Sequence, residues 1–394
     1  MLGWKKWLAS FAGVLCVFSF SSLPAEATVY PDVPASHWSA KEVTYLSERG
    51  VLKGGTNGRF NKDAPVTRAQ AAAILVRAKE LSMANVPDPG FQDVPKSHPF
   101  YKEIAAAVHA GWFSKAQSFN PDGQLTRAEM AKITANAFDL QGTASADWED
   151  MGKAHWSTPF VERIVANGVT SGYTATKYRP AGVVTRAQFA VFIARGLDPA
   201  YRLTVAVYPK KAAEDIFYPQ FRDTSGQKDF QYLNEYYVNE GEEMADTKKE
   251  LTELAKEDPE RGHLYTYEAS YRVARADRSY ISIVFDHYYY TGGAHGYTSL
   301  SSQNYDVRNA FFMLLGDLAT KADYERKVID RINTQGAYLQ KQGRGDWSHL
   351  YSLGGYQRQF YMTNDGFVVY FNPYQQGSYA AGIWEFKLPY SLIR

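Results

Sequence analysis

Between Tyr30 and Leu197 one pattern occurs three times, and it restricts the possible folds more than any other feature of the chain. Each copy opens on aromatic-x-Asp, reaches a His, runs through an apolar-periodic stretch to a Gly, and closes on Thr-Arg-Ala-(Glu/Gln). The aspartates are Asp32, Asp93 and Asp150, and the histidines are His37, His98 and His155. The closing motifs are Thr67-Arg68-Ala69-Gln70, Thr126-Arg127-Ala128-Glu129 and Thr185-Arg186-Ala187-Gln188, so the arginines fall 59 residues apart both times. Self-similarity at a fixed period marks a repeated unit that buries its apolar face against its neighbours.

Each copy reads as two helices. In the first, Trp38 to Arg49 carries Val43 and Leu46 on one face and stops at Gly50; a second helix from Thr67 places Ala71, Ile74, Leu75 and Ala78 at helical spacing. Copies two and three repeat this at Ile104 to His109 and Met130 to Phe138, and at Ile164 to Ala166 and Phe189 to Ala194. Gly50, Gly111 and Gly168 stand where a left-handed residue ends a helix. Met83 to Gly90 and Gln141 to Ala146 read as linkers between copies.

Thr followed three residues later by Glu or Gln, at the head of such a helix, is a capping box. The cap does not need the arginine, and the helix macrodipole opposes a cation there by about 0.3–1 kcal/mol. Its recurrence at Arg68, Arg127 and Arg186 points to an anionic partner, because a helix N-terminus attracts anions and a guanidinium can clamp a carboxylate with two parallel bonds. Solvated decoration is the alternative. Gln70 and Gln188, in place of the acid at Glu129, would remove a carboxylate from beside that anion.

Residues 1–27 read as an export signal, with Lys5 and Lys6 before the apolar run Leu8 to Phe20 and Ala25-Glu26-Ala27 as the cleavage site. That run is shorter than the roughly 20 residues of a membrane span, and no later stretch reaches that length. The mature chain is therefore expected outside the cytoplasmic membrane and not embedded in it. Cys16, the only cysteine, lies in this run behind Leu15, where lipidation would want a small residue. The mature chain then has neither disulfides nor thiol chemistry. A formal charge of +1 lacks the basic excess of a nucleic-acid binder, so an anionic partner must be held by a few placed cations.

Composition changes between Leu197 and Ala200: all but five of the 29 tyrosines lie beyond residue 200, which suits a β-rich second half. Leu203 to Tyr208, the hairpin pair Tyr265 to Ala276 and Tyr280 to Tyr290, Phe360 to Met362, Phe367 to Phe371, and Ile383 to Leu388 read as strands. Gln231 to Glu257 and Asp323 to Gln340 read as helices, giving an α+β class with antiparallel sheet. Tyr290-Thr291-Gly292-Gly293-Ala294-His295-Gly296 is the clearest local motif there. Its glycines allow tight turns, so a structural loop and a catalytic His295 are both open. A metal site from Asp286, His287 and His295 lacks a recognised ligand spacing. Gly-x-Ser-x-Gly, His-Glu-x-x-His and phosphate-loop motifs do not occur, and nothing calls for a cofactor.

The three copies resemble S-layer homology domains over roughly residues 28 to 199. The resemblance rests on Tyr30-Pro31-Asp32-Val33 with His37-Trp38, Phe91-Gln92-Asp93-Val94 with His98, Trp148-Glu149-Asp150-Met151 with His155-Trp156, and the Thr-Arg-Ala-(Glu/Gln) closings. It implies an all-α, pseudo-threefold helical bundle with grooves between repeats. It also implies noncovalent binding of a secondary cell-wall polysaccharide, pyruvylated or otherwise anionic, in a Gram-positive-type envelope. The residues carried over are Asp32, Asp93 and Asp150, Trp38 and Trp156, Arg68, Arg127 and Arg186, and Gln70, Glu129 and Gln188. A tryptophan at this place either stacks on a sugar face or fills the core, and the repeat histidine reads as a capping or core residue. Copy two departs: Pro99 replaces the tryptophan, and Ser114-Lys115 lacks the second glycine of Gly54 and Gly172.

The second half, approximately 203 to 394, resembles the extracellular domain of the lysozyme-receptor anti-sigma-V factor, also found beside peptidoglycan deacetylases. The residues are Tyr290 to Gly296, Phe360-Tyr361-Met362-Thr363 with Gly366 and Tyr370-Phe371, and Tyr374 with Tyr379-Ala380-Ala381-Gly382-Ile383. The loop Asn372 to Tyr379 departs from the family's wording, and no Thr-Phe-Asp-Asp-Gly deacetylase motif is found. The resemblance implies a binding domain for lysozyme-like protein or peptidoglycan, with His295, Tyr374 and Tyr379 as candidate surface.

The expected division is 1–27 signal, repeats at 28–86, 87–144 and 145–199, and an α+β domain at 200–394. The leading expectation is an exported, wall-anchored, non-catalytic protein displaying that last domain. A wall-anchored hydrolase or esterase using His295, and a structural array subunit, are the alternatives.

Overall fold

The computed structural model describes residues 30–394; the expected export signal, with Cys16, lies outside the described residues. The first half contains α1 (Ala40–Glu48), α2 (Arg68–Ala78), α3 (Tyr101–His109), α4 (Arg127–Ala137), α5 (Thr158–Ala166) and α6 (Arg186–Leu197). Helices α2, α4 and α6 each start on a complete capping box: Thr67, Thr126 and Thr185 accept from the third helical amide, and Gln70, Glu129 and Gln188 reach back to the threonine amide. Helices α1, α3 and α5 end on Gly50, Gly111 and Gly168, at φ of 68°, 78° and 69°. The next amide then bonds back five residues, Val51 to Leu46, Trp112 to Ala107 and Val169 to Ile164, which is how a left-handed cap satisfies terminal carbonyls.

The pairs interlock around a pseudo-threefold axis. Helix α2 packs on α3, α4 on α5 and α6 on α1, so the second helix of each repeat covers the first helix of the next. At the axis the backbone closes a three-membered cycle: Val66 N–H donates to Val184 O (3.0 Å), Val184 to Leu125 O (2.9 Å) and Leu125 to Val66 O (3.0 Å). All three residues are fully buried. Their backbone groups have no access to water, so pairing across the axis is what makes their burial affordable.

The core of the helical half continues past Leu197 into Tyr201, Ala206 and Tyr208. An antiparallel ribbon follows, β1 (Val205–Ala213) and β2 (Ile216–Asp223), with Pro209 directly opposite Pro219. A two-stranded ribbon has only edges, so neither proline deletes a ladder bond that a third strand would need. Next come α7 (Gln231–Glu257), β3 (Thr266–Ala276), β4 (Tyr280–Tyr290), β5 (Tyr297–Asp306), β6 (Phe311–Phe312), α8 (Leu315–Leu318) and α9 (Tyr324–Lys341), then β7 (Phe360–Met362), β8 (Gly366–Phe371) and β9 (Trp384–Pro389). The sheets run β3-β4-β5-β6 and β7-β8-β9, all antiparallel.

Strand alternation assigns the layers. On β4, Ile281, Ile283 and Phe285 join a core with α7 and the ribbon, while Val284 joins Leu300, Tyr361, Val368 and Tyr370 between the two sheets. On β8, Phe367, Val369 and Phe371 point the other way, to Val328 and Ile332 of α9. The order is α7 with the ribbon, sheet, sheet, α9. The inter-sheet layer also carries buried polar side chains, each satisfied as burial demands. Ser302 Oγ and Asn304 Nδ2 donate to Phe360 O (2.6 and 2.7 Å), and Asn372 pairs with both the amide and the carbonyl of Leu300 (2.8 and 3.0 Å).

Candidate functional site

The repeat arginines cross the repeat boundaries. Arg68 Nε donates to Phe119 O (2.8 Å), Arg127 Nε to Tyr178 O (2.7 Å), and Arg186 Nε to Phe60 O (2.8 Å), the third closing back on the first repeat. Each guanidinium also lies over the ring of that same residue, 4.7–4.9 Å from its centroid, a favourable cation–π placement. The aspartates grip these loops from the other side. Asp32 accepts from the amides of Phe60 (2.8 Å) and Lys62 (3.1 Å), Asp93 from Phe119 (2.8 Å) and Asn120 (2.7 Å), and Asp150 from Tyr178 and Arg179 (both 2.8 Å). Burial alone would raise the Asp32 and Asp93 carboxyls, but these amides outweigh it and hold both below the usual carboxylate range. Each boundary thus joins an aspartate, an aromatic loop and the preceding repeat's arginine.

Phe60, Phe119 and Tyr178 were not singled out from the sequence. Each stands seven residues before its threonine, and that constant offset is the signal that could have found them.

One expectation is corrected. The first-turn amides of α2, α4 and α6 are not free for an anion. Arg68 and Ala69 N–H donate to Gly123 and Pro121, Arg127 and Ala128 to Gly182 and Pro180, and Arg186 and Ala187 to Ala64 and Lys62. Ring closure brings each neighbour's turn onto the helix start, and its carbonyls take the place of an anion. What remains for a ligand is the guanidinium edges.

Those edges are not equivalent. Arg68 Nη1 is paired with Glu129 at 2.5 Å, whereas glutamines stand at the matching places in the other two repeats. Arg186 Nη2 donates to Lys53 O (3.0 Å). Arg127 is only 4% exposed, and its Nη2 is buried without a hydrogen-bond partner among the described residues. Burial pushes the Arg127 and Arg186 guanidiniums below the usual arginine range.

Trp38 and Trp156 are 61% and 52% exposed, so neither is core. Each lies beside its repeat histidine, at 5.5 and 5.7 Å between centroids, and those histidines bond through Nδ1 to Ser39 and Ser157 (both 2.9 Å). Neither tryptophan lies over one of the three arginines, whose ring partners are Phe60, Phe113, Phe119, Tyr173, Tyr178 and Phe192. A Cβ at Gly54 would meet the Tyr30 ring, and one at Gly172 the Trp148 ring. Copy two has Lys115 at that place.

In the second half the three candidate surface residues come together. The His295 ring stacks on Tyr379 at 3.8 Å and 17°, its Nε2 lies 3.4 Å from Tyr374 Oη, and Nδ1 lies 2.9 Å from Gly296 O. Tyr379 Oη also donates to Gly296 O. Tyr374, at φ 71° and 62% exposed, caps the patch. No serine, threonine or carboxylate side chain bonds to His295 among the described residues. A Ser–His contact lies elsewhere: His287 Nε2 to Ser301 Oγ at 3.0 Å, with Tyr267 Oη 3.2 Å from Nδ1. Burial lowers the His287 pKa and so favours its neutral form. No group of three His, Cys, Asp or Glu side chains comes together to hold a metal, and no helix is long and apolar enough to cross a membrane, among the described residues.

The profile of the S-layer homology domain matches residues 29–72, 90–131 and 149–190. The profile described as Deacetylase PdaC matches 210–298, and DUF3298, a family of unknown function, matches 351–391. An S-layer protein of Bacillus thuringiensis subsp. finitimus is 31% identical over 193 residues, covering 48% of this chain and 23% of that protein. A surface-layer 125 kDa protein of Lysinibacillus sphaericus is 36% identical over 202 residues, covering 49% and 17%. The chain therefore spans less than a quarter of the length of these relatives. A solved DUF3298-family structure from Bacteroides fragilis, 23% identical, covers 46% of this chain and 72% of its own at a TM-score of 0.28, too slight a likeness to bear on the fold. The chain is a cell-surface protein that carries three S-layer homology domains, followed by a half similar to the PdaC and DUF3298 families.

Proposed function

We propose that residues 28–199 hold the chain noncovalently to a pyruvylated or otherwise anionic secondary cell-wall polysaccharide, and that the second half presents the His295–Tyr374–Tyr379 patch to a lysozyme-like protein or envelope glycan. The observation that carries the first part is Arg186: a partly exposed guanidinium with no ion pair among the described residues, and Gln70 at the place where Glu129 pairs with Arg68. A ketal carboxylate has the charge and the fork geometry to pair with it. The exposed Trp38 and Trp156 suit sugar stacking. The boundary between repeats one and two, with Arg68 neutralised by Glu129 and Pro99 at the tryptophan place, is the weakest of the three.

The test is retention of the chain on purified walls before and after extraction of the polysaccharide. Loss on extracted walls is expected; equal retention on both rejects the anchor. Glu129→Gln keeps the capping box, as Gln70 and Gln188 do, and is expected to tighten wall binding by freeing Arg68. For the second half, calorimetry of the chain with lysozyme is expected to show binding that Tyr374→Ala weakens.

Hydrolysis is a second reading, favoured by the contact between Ser301 Oγ and a neutral His287. It requires a Ser301→Ala variant to lose turnover of wall esters. Absence of turnover in the parent chain removes it.

A further inference from the structure

Strand β3 is the outer strand of its sheet, and among the described residues its backbone bonds to no element but β4. A cleft of about 590 Å³ lies along this edge and is lined by five consecutive β3 residues, Thr266 to Ser270. Successive side chains of a strand point to opposite faces. The cleft follows the open edge and also reaches over the end of the sheet, to Asp286, His287 and Tyr288 of β4 and Thr298 of β5. Lys248 and Leu251 of α7 form one wall, and Glu149 and Thr176 of the third repeat form another. Just beyond, Tyr271 Oη donates to Ala175 O (3.1 Å) and pins the strand to that repeat.

Proteins usually blunt an open edge with a bulge, a proline or a lysine. The bulge of β3 lies at its far end, between Val273 and Arg275. The stretch Thr266 to Tyr271 has no bulge, proline or lysine. Its cleft is acidic: Glu149, Asp215, Glu268 and Asp286 face one cation, Lys248. Lys248 sits 3.7 Å from Asp215, Lys177 3.3 Å from Glu149 and Arg272 3.9 Å from Asp286. Exposed Glu268 is left without an ion pair among the described residues.

We propose that this edge docks an extended, basic polypeptide segment of a partner protein. The segment adds as a further strand on β3, with backbone bonds supplying affinity and alternate side chains supplying selectivity. One of its Lys or Arg side chains meets Glu268. The cleft includes His287 of the hydrolytic reading and, in Glu149 and Thr176, the neighbours of Asp150 and Tyr178; protection of the β3 amides is a readout that neither wall binding nor ester turnover predicts.

The probe is a short synthetic peptide alternating Val and Lys, with a Val and Glu alternation as control, titrated into the chain from residue 28 onward. Binding of the basic peptide alone is expected. Hydrogen exchange at the outward amides of Thr266 to Tyr271 should slow by about tenfold or more on binding. Glu268→Lys, at an exposed position that leaves the fold unstrained, should weaken affinity about fivefold. No binding, binding that leaves those amides unprotected, or equal binding of the acidic control overturns the proposal. So does concentration-dependent self-association that protects the same amides without peptide, which would assign the edge to a second copy of the chain.

Discussion

A buried guanidinium must either be fully bonded or serve something outside the chain, and Arg127 tests which applies. Its Nε bond to Tyr178 O joins repeats two and three. Arg127→Met removes that donor and leaves a buried carbonyl unmatched, so a loss of about 1–3 kcal/mol is expected, read as a lower urea midpoint. If the same variant, still folded, also loses wall retention, the arginine serves both roles; unchanged retention confines it to the structural one. The aspartates add a pH dependence. Asp32 and Asp93 are more acidic folded than unfolded, so the unfolded chain binds more protons and stability rises with pH through this window. Their contribution is complete above the unfolded carboxylate value near about 4 and is lost as pH falls through the lower, folded one. A thermal midpoint that drops between about pH 5 and 3 is expected, with a shallower drop in an Asp32→Asn/Asp93→Asn double variant; parallel curves would contradict it. The sequence showed that these residues recur, because identity at fixed spacing is legible in one dimension. It did not show that the arginine of one copy serves the aromatic of the next, because that pairing depends on how the copies are placed around the axis.

Ring closure makes the helical half an assembly of elements in which no repeat is complete alone. Each second helix packs on the next repeat, and the Val66–Leu125–Val184 cycle uses one donor and one acceptor from every copy. Val184→Pro deletes one donor and leaves Leu125 O unpaired in a dry environment. A cost of about 2–4 kcal/mol is expected, with helical signal lost from all three repeats in one transition; loss from the third repeat alone would show that the ring does not couple them. Helices were legible where an apolar period met one terminal signal, a capping box at Thr67 for α2 and a closing glycine at Gly50 for α1. Strands β4 and β8 were legible from β-branched and aromatic runs. Strand β2 was not, because Pro219 in its centre argues against a strand until its two-stranded setting is known. Nor was β5: Ser299, Ser301, Ser302, Gln303 and Asn304 look like a loop, yet Ser302 and Asn304 are buried as the polar joint between two sheets.

The two halves of the molecule meet through backbone as well as side chains. Leu203 N–H donates to Gly168 O (2.8 Å), Asp147 N–H to Pro209 O (2.8 Å), and Arg222 Nη1 to Thr143 O (2.9 Å). The stretch Gln141 to Ala146, which reads as a linker from its Gly, Ser and Thr, is thus also a seat for the ribbon. At this scale the sequence could indicate a change of composition but not a docking. Gly168 sits at the centre of the joint. It ends α5 at φ 69°, and a Cβ there would strike Leu203 O and Thr224. Gly168→Ala therefore combines left-handed strain with a clash at the joint, at an expected cost of about 1–3 kcal/mol. The uneven tyrosine distribution makes the consequence measurable, since near-ultraviolet tyrosine bands report chiefly on the second half, while amide hydrogen exchange along α1 to α6 reports on the first. In the parent chain both should be lost together on heating; in Gly168→Ala the protection of α1 to α6 should be lost at lower temperature than the tyrosine signal. Coupling of this kind would fix the orientation in which a wall-held base presents the His295 patch and the β3 edge. Two separate transitions in the parent chain would mean that the joint seen here transmits too little free energy to hold that orientation.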